Sequence, residues 1–162
     1  MKAAASGVQD RLSEAAIELR IVMTDGVGSL HADGRRVRQV LFNLLSNAIN
    51  YSEAGQTVTL AAMRRGAEIV FKVSDRGRGI PPEMIDRVFE RFETFPNGSR
   101  HRGPGLGLSI VRAMVELHGG RVLIDTAPRE GTTVTCIFPV DPIGAMAAIP
   151  RLMAQPKTQA VQ

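Results

Sequence analysis

The sequence predicts a two-layer α/β sandwich, a mixed and mostly antiparallel sheet covered by about three helices, with one loop suited to act as a lid. Three observations carry that expectation. Residues 35 to 51 and 106 to 120 repeat apolar side chains at the spacing of buried helix faces, and several short runs alternate as strands do. Strands and helices follow one another without the regular strand-helix-strand alternation of a parallel sheet.

With 162 residues, 44% of them hydrophobic, the chain can bury one ordinary core, expected over residues 1–142, with 143–162 an aperiodic tail expected to be disordered. Taken in order, Val8, Leu12, Ala15, Ala16 and Leu19 recur as a short helix over residues 8 to 19, and LRIVMTDG reads as a strand ending in a turn. Asp33 is placed to cap the helix that follows, whose buried face is Val37, Val40, Leu41, Leu44, Leu45 and Ala48. QTVTLAAM and EIVFKVSD, joined by RRGA, predict an antiparallel hairpin. A short helix from Glu83 to Phe92 then leads into the polar, glycine-containing loop FPNGSRHRGPG. LGLSIVRAMVELHGG predicts a second strong helix with Ile110, Val111, Met114 and Val115 on one face, and RVLIDT and TTVTCIFP predict the last two strands.

Composition excludes several functions. No apolar run reaches the roughly 18 residues of a membrane span, and MKAAASGVQDRL lacks the apolar block of a secretion signal. A cytoplasmic location without membrane contact is therefore expected, any membrane anchor belonging to a longer parent protein. Net charge is +4, but the basic residues are dispersed, there is a single tyrosine and no tryptophan, so nucleic acid is not an expected partner. Cys136, alone in its alternating strand, is a core residue.

Chemistry concentrates in three places. Asn43, Asn47 and Asn50 align at i, i+4 and i+7 beside an apolar helix face, with Tyr51 next to them. Asparagine is a poor helix former, so such a stripe costs stability unless it binds something polar, and an amide oxygen suits Mg²⁺. A solvated helix face is the alternative. Alternation places Asp75 at the end of the face shared by Ile69, Phe71 and Val73, where a carboxyl needs a donor. In the following RGRGI, Gly77 and Gly79 permit tight turning and close approach of a ligand, such as an adenine amine; a plain strand-end turn is the other reading. GPGLGL, at the start of the second strong helix, can aim backbone N–H groups at phosphate, with Arg100 and Arg102 nearby. It is neither a dinucleotide-binding fingerprint nor a P-loop.

In this order, NLLSNAINYS, SDRGRGIPPE, FERF and GPGLGL resemble the N, G1, F and G2 boxes of the ATP-binding catalytic domain of bacterial two-component sensor histidine kinases, over roughly residues 8 to 139. The resemblance implies the Bergerat fold and the cofactors ATP and Mg²⁺. It assigns Asn47 to the metal, Asn43 to the polyphosphate region, Tyr51 to the adenine ring and Asp75 to the adenine amine, with Asn50 a further nucleotide-binding candidate. It further assigns Gly77, Gly79 and Ile80 to the base pocket, Thr132 to the support of Asp75, and Phe89 and Phe92 to anchoring the lid. Gly103, Gly105, Leu106, Gly107 and Leu108 would hold phosphates, aided by Arg100 and Arg102.

The partners implied are the dimerisation and phosphoacceptor helices of the parent kinase and the receiver domain of a response regulator. None of His31, His101 and His118 sits in an acceptor motif, so this chain alone is not expected to phosphorylate itself. Hydrolysing members of the superfamily carry a glutamate base where this chain has Asn43, which favours phosphoryl transfer over hydrolysis. Asn50 stands where the family commonly has Lys or Arg, and Thr94 where many members have Arg; both remove charge near the phosphates. The alternative reading is thus a catalytically weak regulatory module that docks a response regulator. The segment SRHRGPGLGLSIVRAMVELHGG also resembles the DivL-type cell-fate regulators, whose acceptor is Tyr.

Overall fold

The helix expected over residues 8 to 19 is shorter, and a separate short helix precedes it. In the computed structural model, which describes residues 1–92 and 105–141, α1 spans Lys2–Ser6 and α2 spans Gln9–Ala15. Ala16 ends α2 by turning left-handed at φ 53°. Leu19 therefore lies in β1, Glu18–Met23, rather than in the helix. Val8, Leu12 and Ala15 are buried as helical spacing requires, whereas Leu19 satisfied the same spacing by coincidence.

Asp33 caps α3, Gly34–Tyr51, its carboxylate accepting from the Arg35 and Arg36 N–H groups at 2.8 and 3.4 Å. The apolar stripe of α3 is buried from Val40 to Ala48, and Val37 packs at its margin. β2, Thr57–Arg65, and β3, Glu68–Ser74, form the expected hairpin, but Arg64 and Arg65 belong to the strand and only Gly66 and Ala67 make the turn. Pro82–Arg87 is a 3₁₀ helix; the helix expected to run to Phe92 stops earlier, and Phe92 has φ 67° and is 72% exposed. α4, Gly107–Glu116, precedes β4, Arg121–Ala127, and β5, Gly131–Pro139.

The sheet order is β1-β2-β3-β5-β4, parallel only between β1 and β2. α3 packs against α4, and both lie on the sheet, enclosing Leu41, Leu44, Leu45, Leu60, Ile69, Val111, Val115 and Phe138. This is the predicted sandwich. Cys136 is fully buried in that core, and burial pushes its thiol pKa up to about 12, so it remains an inert packing residue. The tail, residues 143–162, lies outside the described residues.

Candidate functional site

The layers part between α3, the end of β3 and the start of α4, where a cavity of about 360 Å³ opens. The residues singled out from sequence converge on it from four directions. α3 supplies Asn43, Asn47, Asn50 and Tyr51; the end of β3 and the turn beyond supply Asp75, Gly79 and Ile80. Gly105, Leu106, Gly107 and Leu108 come from the entry into α4, and Thr132 comes from β5.

Gly77 does not line the cavity. A side chain there would overlap the Tyr51 carbonyl oxygen, so its absence lets the turn after β3 press on the end of α3. Arg100, Arg102, Gly103 and Thr94 lie outside the described residues. Phe89 sits under the Arg112 guanidinium at 5.6 Å, and the Phe92 N–H donates to the Gly105 carbonyl at 3.0 Å. That bond joins Phe92 to a residue that lines the cavity.

Asp75 is fastened by one oxygen. Its Oδ1 accepts from the Gly77 N–H at 2.9 Å and the Thr132 N–H at 3.2 Å, leaving Oδ2 for a ligand. Burial raises the carboxyl pKa above its ordinary value, and the two backbone bonds offset part of that rise. Thr126 ties the surrounding turn together: its hydroxyl accepts from the Ile80 N–H at 3.0 Å, donates to the Gly131 carbonyl at 2.9 Å, and lies 3.0 Å from the Thr132 hydroxyl. With its only proton committed to Gly131, Thr126 must accept from Thr132, which orients the Thr132 hydroxyl.

The α3 wall of the same cavity carries amides. The Asn43 Nδ2 is buried without a hydrogen-bond partner, an unmet donor beside the cavity. Asn47 lies against the start of α4, so close that a side chain at Gly107 would stand 3.2 Å from both its amide oxygen and nitrogen. Among the described residues no side chain caps the α4 N-terminus, whose residues Gly107 and Leu108 line the same cavity with its positive dipole end.

Two arginines escaped the sequence analysis. Arg78, inside RGRGI where only the glycines were weighed, lines the cavity with its guanidinium carbon 4.9 Å from the Tyr51 ring centroid. Arg11, on α2, also lines it and donates to the Asn50 Oδ1 at 3.4 Å. Arg78 was visible within a motif; Arg11, 39 residues before its partner, gave no local signal.

This convergence of an asparagine stripe, a buried acid and an uncapped helix start coincides with a family match: the model described as histidine kinase-, DNA gyrase B- and HSP90-like ATPase covers residues 32–142. The chain belongs to this ATPase family. Among members of this ATPase family, it is 41% identical over 123 residues to the sensor protein DivL of Caulobacter vibrioides, covering 76% of this chain and 16% of DivL. It is 36% identical over 150 residues to the circadian input-output histidine kinase CikA of Synechococcus elongatus, covering 89% of this chain and 20% of CikA. The chain thus spans a fifth or less of these two relatives. A full-length ShkA structure in complex with AMPPNP superposes with a TM-score of 0.74 at 29% identity, over 85% of this chain and 28% of that one.

Proposed function

We propose that this domain binds ATP with Mg²⁺ and presents the γ-phosphate to an acceptor His or Tyr on a dimerisation helix outside this chain, for relay to a response regulator. The observation that carries the reading is one cavity lined both by a buried carboxyl with a free oxygen and by an unmet Asn43 amide donor and a helix start that no side chain caps among the described residues. ATP has the matching polarity, an amine-bearing base joined to a polyanion. The AMPPNP held by ShkA agrees with it.

In this reading Asp75 Oδ2 accepts the adenine amine and Ile80 and Tyr51 bound the base, while Gly79, where a side chain would overlap the Ala127 carbonyl oxygen, lets the turn that carries Ile80 press on the end of β4. Asn43, Asn50 and the entry into α4 take the phosphates, and Asn47 offers its amide oxygen to the metal. Among the described residues there is no group of three His, Cys, Asp or Glu side chains that could hold a metal ion. Mg²⁺ binds through few protein ligands plus phosphate oxygens, so one amide oxygen suffices, and the metal would neutralise charge on the transferring phosphoryl group. Arg100, Arg102 and Gly103 extend the phosphate contacts in the same proposal.

The residues favour transfer over hydrolysis. Asn43 occupies the place where a water-activating base would stand, and a carboxamide cannot take the proton. His118 is engaged elsewhere: its Nε2 lies 3.2 Å from the Asp33 N–H and its Nδ1 2.7 Å from the Met114 carbonyl, fastening the end of α4 to the start of α3. It is no free acceptor.

Titration with a fluorescent ATP analogue, with and without Mg²⁺, tests the reading. Saturable binding that Mg²⁺ tightens is expected, and absence of binding at millimolar nucleotide would overturn it. Asn47→Ala should bind the analogue without Mg²⁺ nearly as the parent chain does but lose most of the tightening on adding the metal. An unchanged Mg²⁺ effect would remove Asn47 from the metal site.

A further inference from the structure

Arg11 stands apart from every other residue at this site. It belongs to α2, outside the span 32–142 that the family model covers, yet its guanidinium reaches the cavity and donates to Asn50 Oδ1. Asn50 lies one helical turn beyond Asn47, which abuts the start of α4, and directly before Tyr51, so Arg11 meets α3 between the residues read as holding the metal and the base, where the proposed function places Asn50 against the polyphosphate. The contact is long, at 3.4 Å, and its acceptor is neutral. Arg11 forms no ion pair among the described residues and is half-buried, while its neighbours Leu12 and Ala15 on α2 are buried and anchor the helix. A guanidinium has five donors, and one weak bond to an amide leaves most of them available to an anion.

We propose that Arg11 is a nucleotide-binding residue that reaches over Asn50 to the polyphosphate, supplying from α2 the positive charge that position 50 lacks. The N-terminal segment is then part of the binding site as well as of the fold. Asn50 positions the guanidinium through its amide oxygen, and a polyanion, the stronger acceptor, draws it away. The contribution grows with the number of phosphates, being largest for ATP and smallest for adenosine.

The proposal rests on the nucleotide reading above, so the experiment separates the two. Binding of ATP, ADP and adenosine is measured by calorimetry for the parent chain, Arg11→Ala, Arg11→Lys, and the double variant Arg11→Ala with Asn50→Lys. The parent chain reports on the nucleotide reading: no binding of any of the three overturns both. Given binding, Arg11→Ala should weaken ATP about tenfold or more, ADP less, and adenosine not measurably. Arg11→Lys should recover part of the loss, and the double variant should recover ATP affinity by restoring the charge from α3. Arg11→Ala binding ATP like the parent chain overturns the proposal. So does an equal loss for all three ligands, which would mark Arg11 as a packing residue of α2, as would a double variant no better than Arg11→Ala.

Discussion

Asp75→Asn is expected to lower ATP affinity about a hundredfold while leaving the ligand-free protein as stable as before, or slightly more so. The asymmetry follows from how the carboxyl is held. Gly77 and Thr132 both donate to Oδ1, so the amide oxygen of the variant would take that place and keep both bonds. Its Nδ2 would then point where Oδ2 did, setting a donor against the donor amine of adenine. Losing a charge-assisted bond and leaving a donor unpaired together cost about 3 kcal/mol, which is the hundredfold. A base with an oxygen in place of the amine should suffer less, so the preference for ATP over inosine triphosphate should narrow. Wild-type affinity in Asp75→Asn would remove the carboxyl from the base pocket.

The same residue predicts a pH effect. Burial raises the Asp75 pKa above the ordinary 3.8, so the native state holds this proton more tightly than the unfolded chain does. Its contribution to stability is complete below the ordinary carboxylate value and is lost as pH rises through the native value. Chemical denaturation of the ligand-free protein across that interval should show this decline superposed on the titration of the other carboxyls. Asp75→Asn should abolish the part due to this residue; an identical pH slope in both proteins would contradict the raised pKa.

Why Asp75 could be read from sequence while Arg11 could not is a matter of range. Asp75 follows an alternating strand, so the face it occupies is set by the residues immediately before it. α3 was equally legible, with its cap at Asp33, an uninterrupted apolar stripe, and the asparagines fixed beside that stripe by the helical period. Leu19 misled because one position can satisfy both the end of a helical repeat and the start of a strand, and a left-handed Ala16 decided between them. The helix expected up to Phe92 is a 3₁₀ turn instead, because periodicity over so few residues separates the two poorly. Thr126 and Arg11 act through partners on other strands and helices, and no local spacing encodes which side chains a sheet will bring together.

Gly77→Ala should be among the most damaging single-methyl changes at the site. A Cβ at Gly77 would overlap the Tyr51 carbonyl oxygen and stand 2.8 Å from its carbonyl carbon and 3.1 Å from Asp75 Oδ1. The obstacle is main chain at the end of α3, with no flexible tip to swing away. Either α3 and the turn after β3 separate or the turn is rebuilt, and both displace Tyr51 and Asp75 together. Overpacking of this kind costs about 1 to 3 kcal/mol, and loss of the Gly77 N–H bond to Asp75 adds about 1 kcal/mol. A fall in melting temperature of about 10 °C is therefore expected, with ATP affinity reduced beyond what the stability loss explains. Gly34→Ala is the matched control: a Cβ there meets nothing within 4 Å, and the position opens α3, so its melt should hold or rise. Thermal melts and nucleotide titrations of the two variants side by side decide the matter. If Gly77→Ala melts and binds like Gly34→Ala, the close contact between the turn and α3 is not what shapes the base end of the cavity.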